Sequence, residues 1–476
     1  MDATCADVNS RSRRIANFTS FVCDSSWHRY SDGTTLVAGS PLAVFSLSEA
    51  GRDVARALEA GEPLPDFHRP LTSRLAAAGA IHPLASELEK SLESLLTVVI
   101  PAHVSDDAGI ARLTCLVEEL SVRCSVIVVD DASPQAFMIP NAAKIVRLDT
   151  NRGPAVARNA GLEMVTTPFV AFIDSDVTEC GSALPLLVAT CSLDGVGLAA
   201  PRVASRPGVT RLARYEERFS PLDLGSEPGR VAPGSRISYV PSAMWVVRTE
   251  VAKSLGGFDA EMRVGEDVDF VWRLVRAGST ARYEPRAVVH HDPRPTLRAL
   301  MRQRFFYGGS VGPLSVRHPS LLRPLKTSWH SVALWVFFFA GLAPISALLG
   351  IYTFVGLVRR LRHLDHGVRE ALRLVVRGHW SALSSIVRAL RREWIPLTLL
   401  CLLFGGYLGA LALAVLFIPS IVDYFRGPKR LDPVTFVVLR ILDDASYGMG
   451  AVTSCVRNRT IRPVVPDLRT WRANVH

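Results

Sequence analysis

Four short apolar runs set the tightest limit on what this chain can fold into. They are Leu96 to Ile100, Val126 to Val129 and Phe169 to Ile173, with a less apolar one, Lys144 to Leu148, that carries Lys144 and Arg147, and each has the length of a strand. A continuous apolar run of that length describes a strand buried on both faces, the environment of a parallel sheet covered by helices. The stretches between the runs supply those helices: Ala108 to Leu120 has helical spacing, and Pro154 to Glu163 reads as a second helix. Strands alternating with helices predict an α/β domain with right-handed crossovers.

In such sheets functional groups gather beyond the carboxyl ends of the strands. Polar residues follow all four runs here: His103, Asp130 with Asp131, Asn151 with Arg152, and Asp174 with Asp176. A lone D-x-D such as Asp174-Ser175-Asp176 often does no more than cap a helix. Beyond a buried strand, however, two neighbouring carboxylates raise each other's pKa unless a cation neutralises them. Hard oxygen ligands suit Mg²⁺ or Mn²⁺, which keeps positions open for substrate phosphates, so a diphosphate-linked donor is the natural ligand. A second acidic stretch, Gly265-Glu266-Asp267-Val268-Asp269, precedes a helical stretch from Phe270 to Ala277. Complementing that helix's dipole would account for one of its carboxylates. The first strand is not followed by G-x-G-x-x-G, which disfavours a nicotinamide-binding enzyme.

The rest of the chain falls into segments of different character. Residues 1–27 are polar and irregular, and are expected to be flexible. Two strands (33–39 and 41–48), a helix opened by Ser48 and Glu49 and stopped by Gly61, and a second helix around Pro70 to Ala78 then describe a small winged-helix arrangement. Two stretches, 331–358 and 395–422, carry no charged residue, and each exceeds the roughly 20 residues needed to cross a bilayer. Gly341 and Pro344 interrupt the first, and Gly405, Gly406 and Pro419 the second. Arginines follow both and fill the loop between them, so two simple crossings would export that basic loop. Two re-entrant hairpins would keep the arginines on the side of the catalytic domain. Residues 432–456 are amphipathic and fit either a membrane interface or a core helix. The formal net charge of +10 lies largely in this half, which favours a membrane partner over nucleic acid. Eight scattered cysteines without C-x-x-C spacing read as reduced thiols, and no signal peptide is expected at the N-terminus.

Five segments occur in an order that makes chance agreement improbable: TVVIPAH at 97–103, VIVVDDAS at 126–133, NRGPAVARNAGL at 151–162, FIDSDV at 172–177 and GGFDAEMRVGEDVDFVWRL at 256–274. Together they resemble the motifs of family 2 glycosyltransferases. The resemblance implies the GT-A fold, a Rossmann-like mixed sheet that binds a nucleotide-diphosphate sugar. It places Pro101, Ala102 and His103 at the nucleotide base and Asp130 or Asp131 on the pyrimidine. Asn151, Gly153 and Arg158 fall near the ribose and diphosphate, with Arg158 offsetting phosphate charge. Asp174, with Ser175, should touch the donor's ribose or sugar. Asp176 and His291 should hold Mn²⁺ or Mg²⁺. Asp267, beside Glu266, matches the catalytic base of the inverting members. Tyr239 to Ala243 resembles an acceptor-side strand, and nearby Trp245 reads as core.

The whole chain resembles more narrowly the glycosyltransferases of mycofactocin biosynthesis, through the winged N-terminal domain, YGGSVGPLSVRHP at 307–319 and LDDASYGMG at 442–450. That resemblance implies a PqqD-like peptide-recognition domain at 28–90, a GT-A domain at 94–325 and a membrane-associated helical region at 326–476. It also implies glucose transfer, with UDP-glucose as donor, to the peptide-derived mycofactocin precursor as a β-1,4-linked chain, at the cytoplasmic side of the cell membrane. A processive polysaccharide or lipid-linked sugar synthase is the alternative, weakened because neither Gln135 nor Gln303 begins a Q-x-x-R-W element. A non-catalytic membrane scaffold is a further one, opposed by the presence of Asp176 and Asp267.

Overall fold

The computed structural model describes residues 18–30, 33–65, 68–86, 88, 91–142, 144–362 and 367–468. It divides after Pro293 into two compact units.

The first unit opens with a small domain: β1 (Phe18–Cys23), β2 (His28–Arg29), β3 (Thr35–Ala38), β4 (Ala43–Ser46), α1 (Glu49–Ala60), α2 (Arg69–Ala77) and β5 (Ile81–Ala85). Strands β2, β3 and β4 pair antiparallel in that order, and β1 pairs antiparallel with β5. The N-terminal segment thus differs from expectation. Residues 1–17 lie outside those described, but 18–23 form a strand, because β5 offers it an antiparallel partner. Ser48 caps α1 by accepting from the Gly51 N–H, and Gly61 ends it in the left-handed conformation. Leu36, Phe45, Val54, Leu58, Leu75 and Ile81 form the core. Asp24, buried behind β1, accepts from His82 Nε2 at 2.9 Å and from the Arg236 guanidinium at 3.1 Å, and Arg230 and Arg286 donate to the carbonyls of Ala77 and Ala85. These bonds fasten the small domain to the α/β domain that follows.

That domain runs β6 (Leu96–Ala102), α3 (Asp107–Ser121), β7 (Ser125–Asp130), β8 (Lys144–Arg147), α4 (Pro154–Glu163), β9 (Phe169–Ile173), β10 (Val177–Thr178), α5 (Leu184–Cys191), β11 (Val196–Ser205), α6 (Arg211–Phe219), β12 (Gly229–Val231), β13 (Met244–Arg248), α7 (Thr249–Ser254), α8 (Glu266–Arg276) and β14 (Thr280–His291). Among the described residues they build one sheet ordered β10-β14-β11-β13-β9-β6-β7-β8, with β12 on β14. Strands β8, β7, β6 and β9 are parallel, as the apolar runs predict. Strand β13 runs antiparallel to both β9 and β11, so the sheet is mixed. The chain leaves β6 outward through β7 and β8, then returns to β6's other side as β9, which makes the carboxyl ends of β6 and β9 the switch point where α/β sheets bind ligands. Residues 239–243 precede β13 rather than forming a strand. The stretch 265–269 is not ahead of a helix but opens it: Gly265 is the left-handed cap, and Glu266, Asp267 and Asp269 occupy the first turn of α8.

The second unit is helical: α9 (Leu297–Gly309), α10 (Val311–Arg317), α11 (Trp329–Phe339), α12 (Ala343–Leu361), α13 (Gly367–Arg391), α14 (Ile395–Phe404), α15 (Gly406–Arg426) and α16 (Pro433–Arg457). It begins at Arg294 rather than near 326, because α9 packs along α16 through glycines: side chains at Gly308 and Gly450 would overlap the carbonyls of Tyr447 and Phe305. The 432–456 segment forms α16, which buries Phe436, Leu439, Ala451 and Cys455 as a core helix does and leaves Val434, Val438 and Val456 exposed. Both uncharged stretches break and fold back. The first turns at Gly341, leaving Leu334 of α11 against Gly350 of α12, and the second turns at Gly405 and Gly406. Helices α12 and α15 are long and apolar enough to cross a membrane.

Close packing of α4 on β6 requires Gly161, where a Cβ would overlap the Val99 side chain. Gly161→Val should therefore destabilise the first unit by about 1–3 kcal/mol, read from its urea midpoint.

Candidate active site

Residues from six elements, β6, β7, α4, β9, α8 and β14, line the carboxyl-end side of the sheet, and each is brought there by a local feature of the sequence. Strand β6 ends at Ala102, whose Cα faces Asp130 of β7, and Pro101 and Ala102 are buried in that pairing. His103 follows, exposed, with Nδ1 donating to the Asp131 carbonyl at 3.0 Å. The two acids after β7 are buried and engaged. Asp130 accepts from the Ser133 N–H at 2.8 Å and from Arg147. Asp131 accepts from the N–H groups of Arg152 and Gly153, each at 2.8 Å, and so pins the 151–153 turn ahead of α4. Gly153 adopts φ +89°, a conformation that glycine takes at no steric cost, and Asn151 stays exposed beside it.

Helix α4 carries Arg158, 2% exposed, inward. One guanidinium nitrogen donates to Asp174 Oδ1 at 2.7 Å and another to Glu266 Oε1 at 3.0 Å. The guanidinium is thus buried between two carboxylates of the protein itself. It ties the end of β9 to the first turn of α8. Beneath it lies Phe258, whose ring centre is 5.2 Å from the guanidinium carbon and which stacks on Trp245 and Phe270. Trp245 is fully buried, a core residue as its sequence context indicates. The neighbouring Asn159 clamps the Phe258 backbone from both sides, donating to its carbonyl and accepting its N–H, and leaves no room for a side chain at Gly257. This accounts for the G-G-F segment and its dependence on A-R-N. From sequence alone the Arg158–Glu266 and Asn159–Phe258 partnerships were not visible, since they span 108 and 99 residues.

Asp174, Ser175 and Asp176 are half-buried on the turn after β9. Burial pushes the Asp174 carboxyl up, as do the Asp176 and Glu266 charges, while Arg158 opposes them. Immediately afterwards β10 pairs antiparallel with β14, setting Val177 opposite His291, and this register brings Asp176 Oδ2 to 2.9 Å from His291 Nε2. Among the described residues no three His, Cys, Asp or Glu side chains are grouped to hold a metal ion. The donor set of one carboxylate and one imidazole fits a Mg²⁺ or Mn²⁺ ion that takes its other ligands from substrate phosphates and water, and it does not fit a cation caged by protein alone.

Asp267 is half-buried on the first turn of α8. Its carboxylate accepts from the Val268 N–H at 2.8 Å and from the Ser242 N–H. Burial, with the adjacent Glu266 charge, pushes its pKa up to about 7, against the pull of Arg158. A carboxyl poised there exchanges protons readily near neutral pH. Arg158→Met would leave Glu266 and Asp174 without their buried counter-charge and should destabilise the unit by about 3–5 kcal/mol, measured by urea denaturation beside wild type.

Residues 97–256 match the model of the family described as "Glycosyl transferase family 2". The "Pre-mycofactocin glycosyltransferase" of Mycobacterium tuberculosis, in strains CDC 1551 / Oshkosh and ATCC 25618 / H37Rv, is 35% identical over 459 residues, covering 92% of this chain and 95% of the relative. "Succinoglycan biosynthesis protein ExoO" of Rhizobium meliloti (strain 1021) is 25% identical over 44% of this chain and 63% of its own length. Among solved structures, the mannosyltransferase PcManGT from Pyrobaculum calidifontis, in complex with GDP-Man and Mn²⁺, superimposes with a TM-score of 0.41 at 16% identity, over 77% of this chain and 87% of that one. The mixed sheet, the ordered motifs and the near full-length match lead to one conclusion: the chain belongs to the family 2 glycosyltransferases, and within them to the group of the pre-mycofactocin glycosyltransferase.

Proposed function

We propose that this enzyme acts in mycofactocin biosynthesis, transferring glucose from UDP-glucose to the peptide-derived mycofactocin precursor and extending a β-1,4-linked chain by an inverting single displacement. The name of the relative that matches 92% of the chain supports the acceptor. The observation that carries the mechanism is Asp267, a half-buried carboxyl raised to about 7, linked through Glu266 and Arg158 to the turn that bears Asp174 and Asp176.

The 151–153 turn pinned by Asp131, together with Pro101, Ala102 and His103, receives the nucleoside part of the donor. Asp130 and Asp131 border the base, and Asn151, Gly153, Asp174 and Ser175 border the ribose and sugar. Asp176 and His291 would hold a divalent cation, Mn²⁺ or Mg²⁺, which would supply positive charge against the departing diphosphate. Asp267 accepts the acceptor's hydroxyl proton as that oxygen attacks the anomeric carbon, from the face opposite the leaving nucleotide. Glu266 keeps the Asp267 proton affinity high and is itself held by Arg158. The helical unit sits in the cell membrane as two re-entrant hairpins. A hairpin returns both its ends to one face, and the arginines at 359–362 and at 426 and 430 then stay with the catalytic domain on the cytoplasmic side.

Incubating the purified chain with radiolabelled nucleotide sugars, Mn²⁺ or Mg²⁺ and the precursor should transfer label to the precursor. Label recovered only in lipid or in long polymer would overturn the acceptor assignment. Turnover should climb as pH rises through about 7, where Asp267 loses its proton, and level off above. Asp267→Asn should retain donor binding while turnover falls roughly 10²- to 10⁴-fold, and unchanged turnover removes the base assignment. In Asp176→Ala, donor binding measured by calorimetry should lose its dependence on added cation.

A further inference from the structure

Helix α13, between the two folded-back hairpins, has an outer face unlike that of a water-facing helix. Four large apolar side chains stand out at four-residue intervals: Val368 (60% exposed), Leu372 (54%), Val376 (59%) and Trp380 (62%). At 100° per residue they fill an arc of about 120° over a length of about 18 Å. Directly after the first three come Arg369, Arg373 and Arg377, all exposed, along one edge of that arc. The buried positions are different: the small residues Gly367, Ala371, Ala382 and Ala389, with Glu370 and Arg391. The helix is held by its neighbours: Trp335 of α11 donates to the His379 carbonyl at 2.8 Å, His379 Nε2 lies 3.0 Å from Thr353 Oγ1 of α12, and Arg391 donates to Ser420 Oγ of α15 at 2.8 Å. The apolar stripe is therefore neither a frayed surface nor the side that packs.

A second copy of the chain is a poor occupant, because pairing two such stripes would bring like-charged rows of arginine together. A bilayer interface satisfies both features at once: apolar side chains enter the acyl boundary, tryptophan sits at headgroup level, and guanidiniums reach phosphates along their aliphatic stems. The packing partners α12 and α15 are themselves long and apolar enough to cross a membrane, so the stripe adjoins elements fit for lipid.

We propose that α13 is a docking surface for anionic lipid, lying in the interface with Val368, Leu372 and Val376 in the acyl boundary, Trp380 at headgroup level and Arg369, Arg373 and Arg377 on headgroup phosphates. This rests on the reading that the helical unit is embedded in the membrane, and narrows it to a lipid class and a single helix.

The test reconstitutes the full chain into nanodiscs of phosphatidylcholine alone or of equal parts phosphatidylcholine and phosphatidylglycerol, then follows chymotryptic cleavage after Leu372 and Trp380 by mass spectrometry. Cleavage should be roughly 10²-fold slower in the anionic discs, the factor that three basic residues at about 1 kcal/mol each near an anionic surface amount to. High salt should remove the protection. The triple variant Arg369→Glu, Arg373→Glu, Arg377→Glu should be cut at the same rate in both discs, and the salt titration of wild type stands whether or not that variant folds. Equal cleavage of wild type in both discs, or protection that follows the number of chains per disc rather than lipid charge, overturns the proposal. Release of the chain from membranes by alkaline carbonate without detergent would instead overturn the underlying reading.

Discussion

The buried guanidinium of Arg158 is the contact on which the site depends. Placed where only 2% of the residue is accessible, an isolated positive charge would be strongly disfavoured, and Asp174 and Glu266 make its position tenable. In return it allows carboxylates from the end of β9 and the start of α8 to stand close together at the edge of the sheet. Removing it would leave acids that repel one another in a poorly solvated place. The raised proton affinity of Asp267 follows from this crowding, since burial and Glu266 act in the same direction and Arg158 restrains them. The structure thus links the folding role of one arginine to the chemical state of a carboxyl with which it shares a partner.

Much of the α/β domain was legible in the sequence because parallel strands announce themselves as apolar runs. Strand β9 and helix α4 have the limits read from the residues alone, and the polar residues after β6, β7 and β9 fall at the switch point. Other features were closed to such reading for physical reasons. The antiparallel direction of β13 depends on the long excursion between β11 and β13, which periodicity does not record. The register of β10 on β14, which sets Asp176 against His291, involves a strand of two residues. The motif resemblance sets Arg158 near the diphosphate, and its partners within the protein lie 16 and 108 residues away, where spacing does not record them. Glu266 and Asp267 looked like residues ahead of a helix, but a left-handed glycine lets α8 begin at Glu266 itself.

In the helical unit, composition and packing point in different directions. Amphipathicity left 432–456 open to a membrane interface or a core, and α16 packs into the helical unit, with Asp443 bonded to Arg304 and Asp444 to Arg391 and Arg440. Those buried pairs, with glycines that admit neighbouring backbones, fix how helices pass one another. The stripe that does face outward is on α13, where arginines had drawn the reading toward a basic loop. Hydrophobic periodicity identifies that a face will be covered, and only tertiary packing decides which helix keeps its face exposed.

The most direct measurement of the central claim is a double-mutant cycle on turnover, comparing Arg158→Gln, Glu266→Gln and the double variant through kcat/KM. If the two side chains act as one unit, the double variant should lose no more than the worse single variant, with a coupling of about 0.5–3 kcal/mol. Losses that multiply as for independent sites would contradict the account.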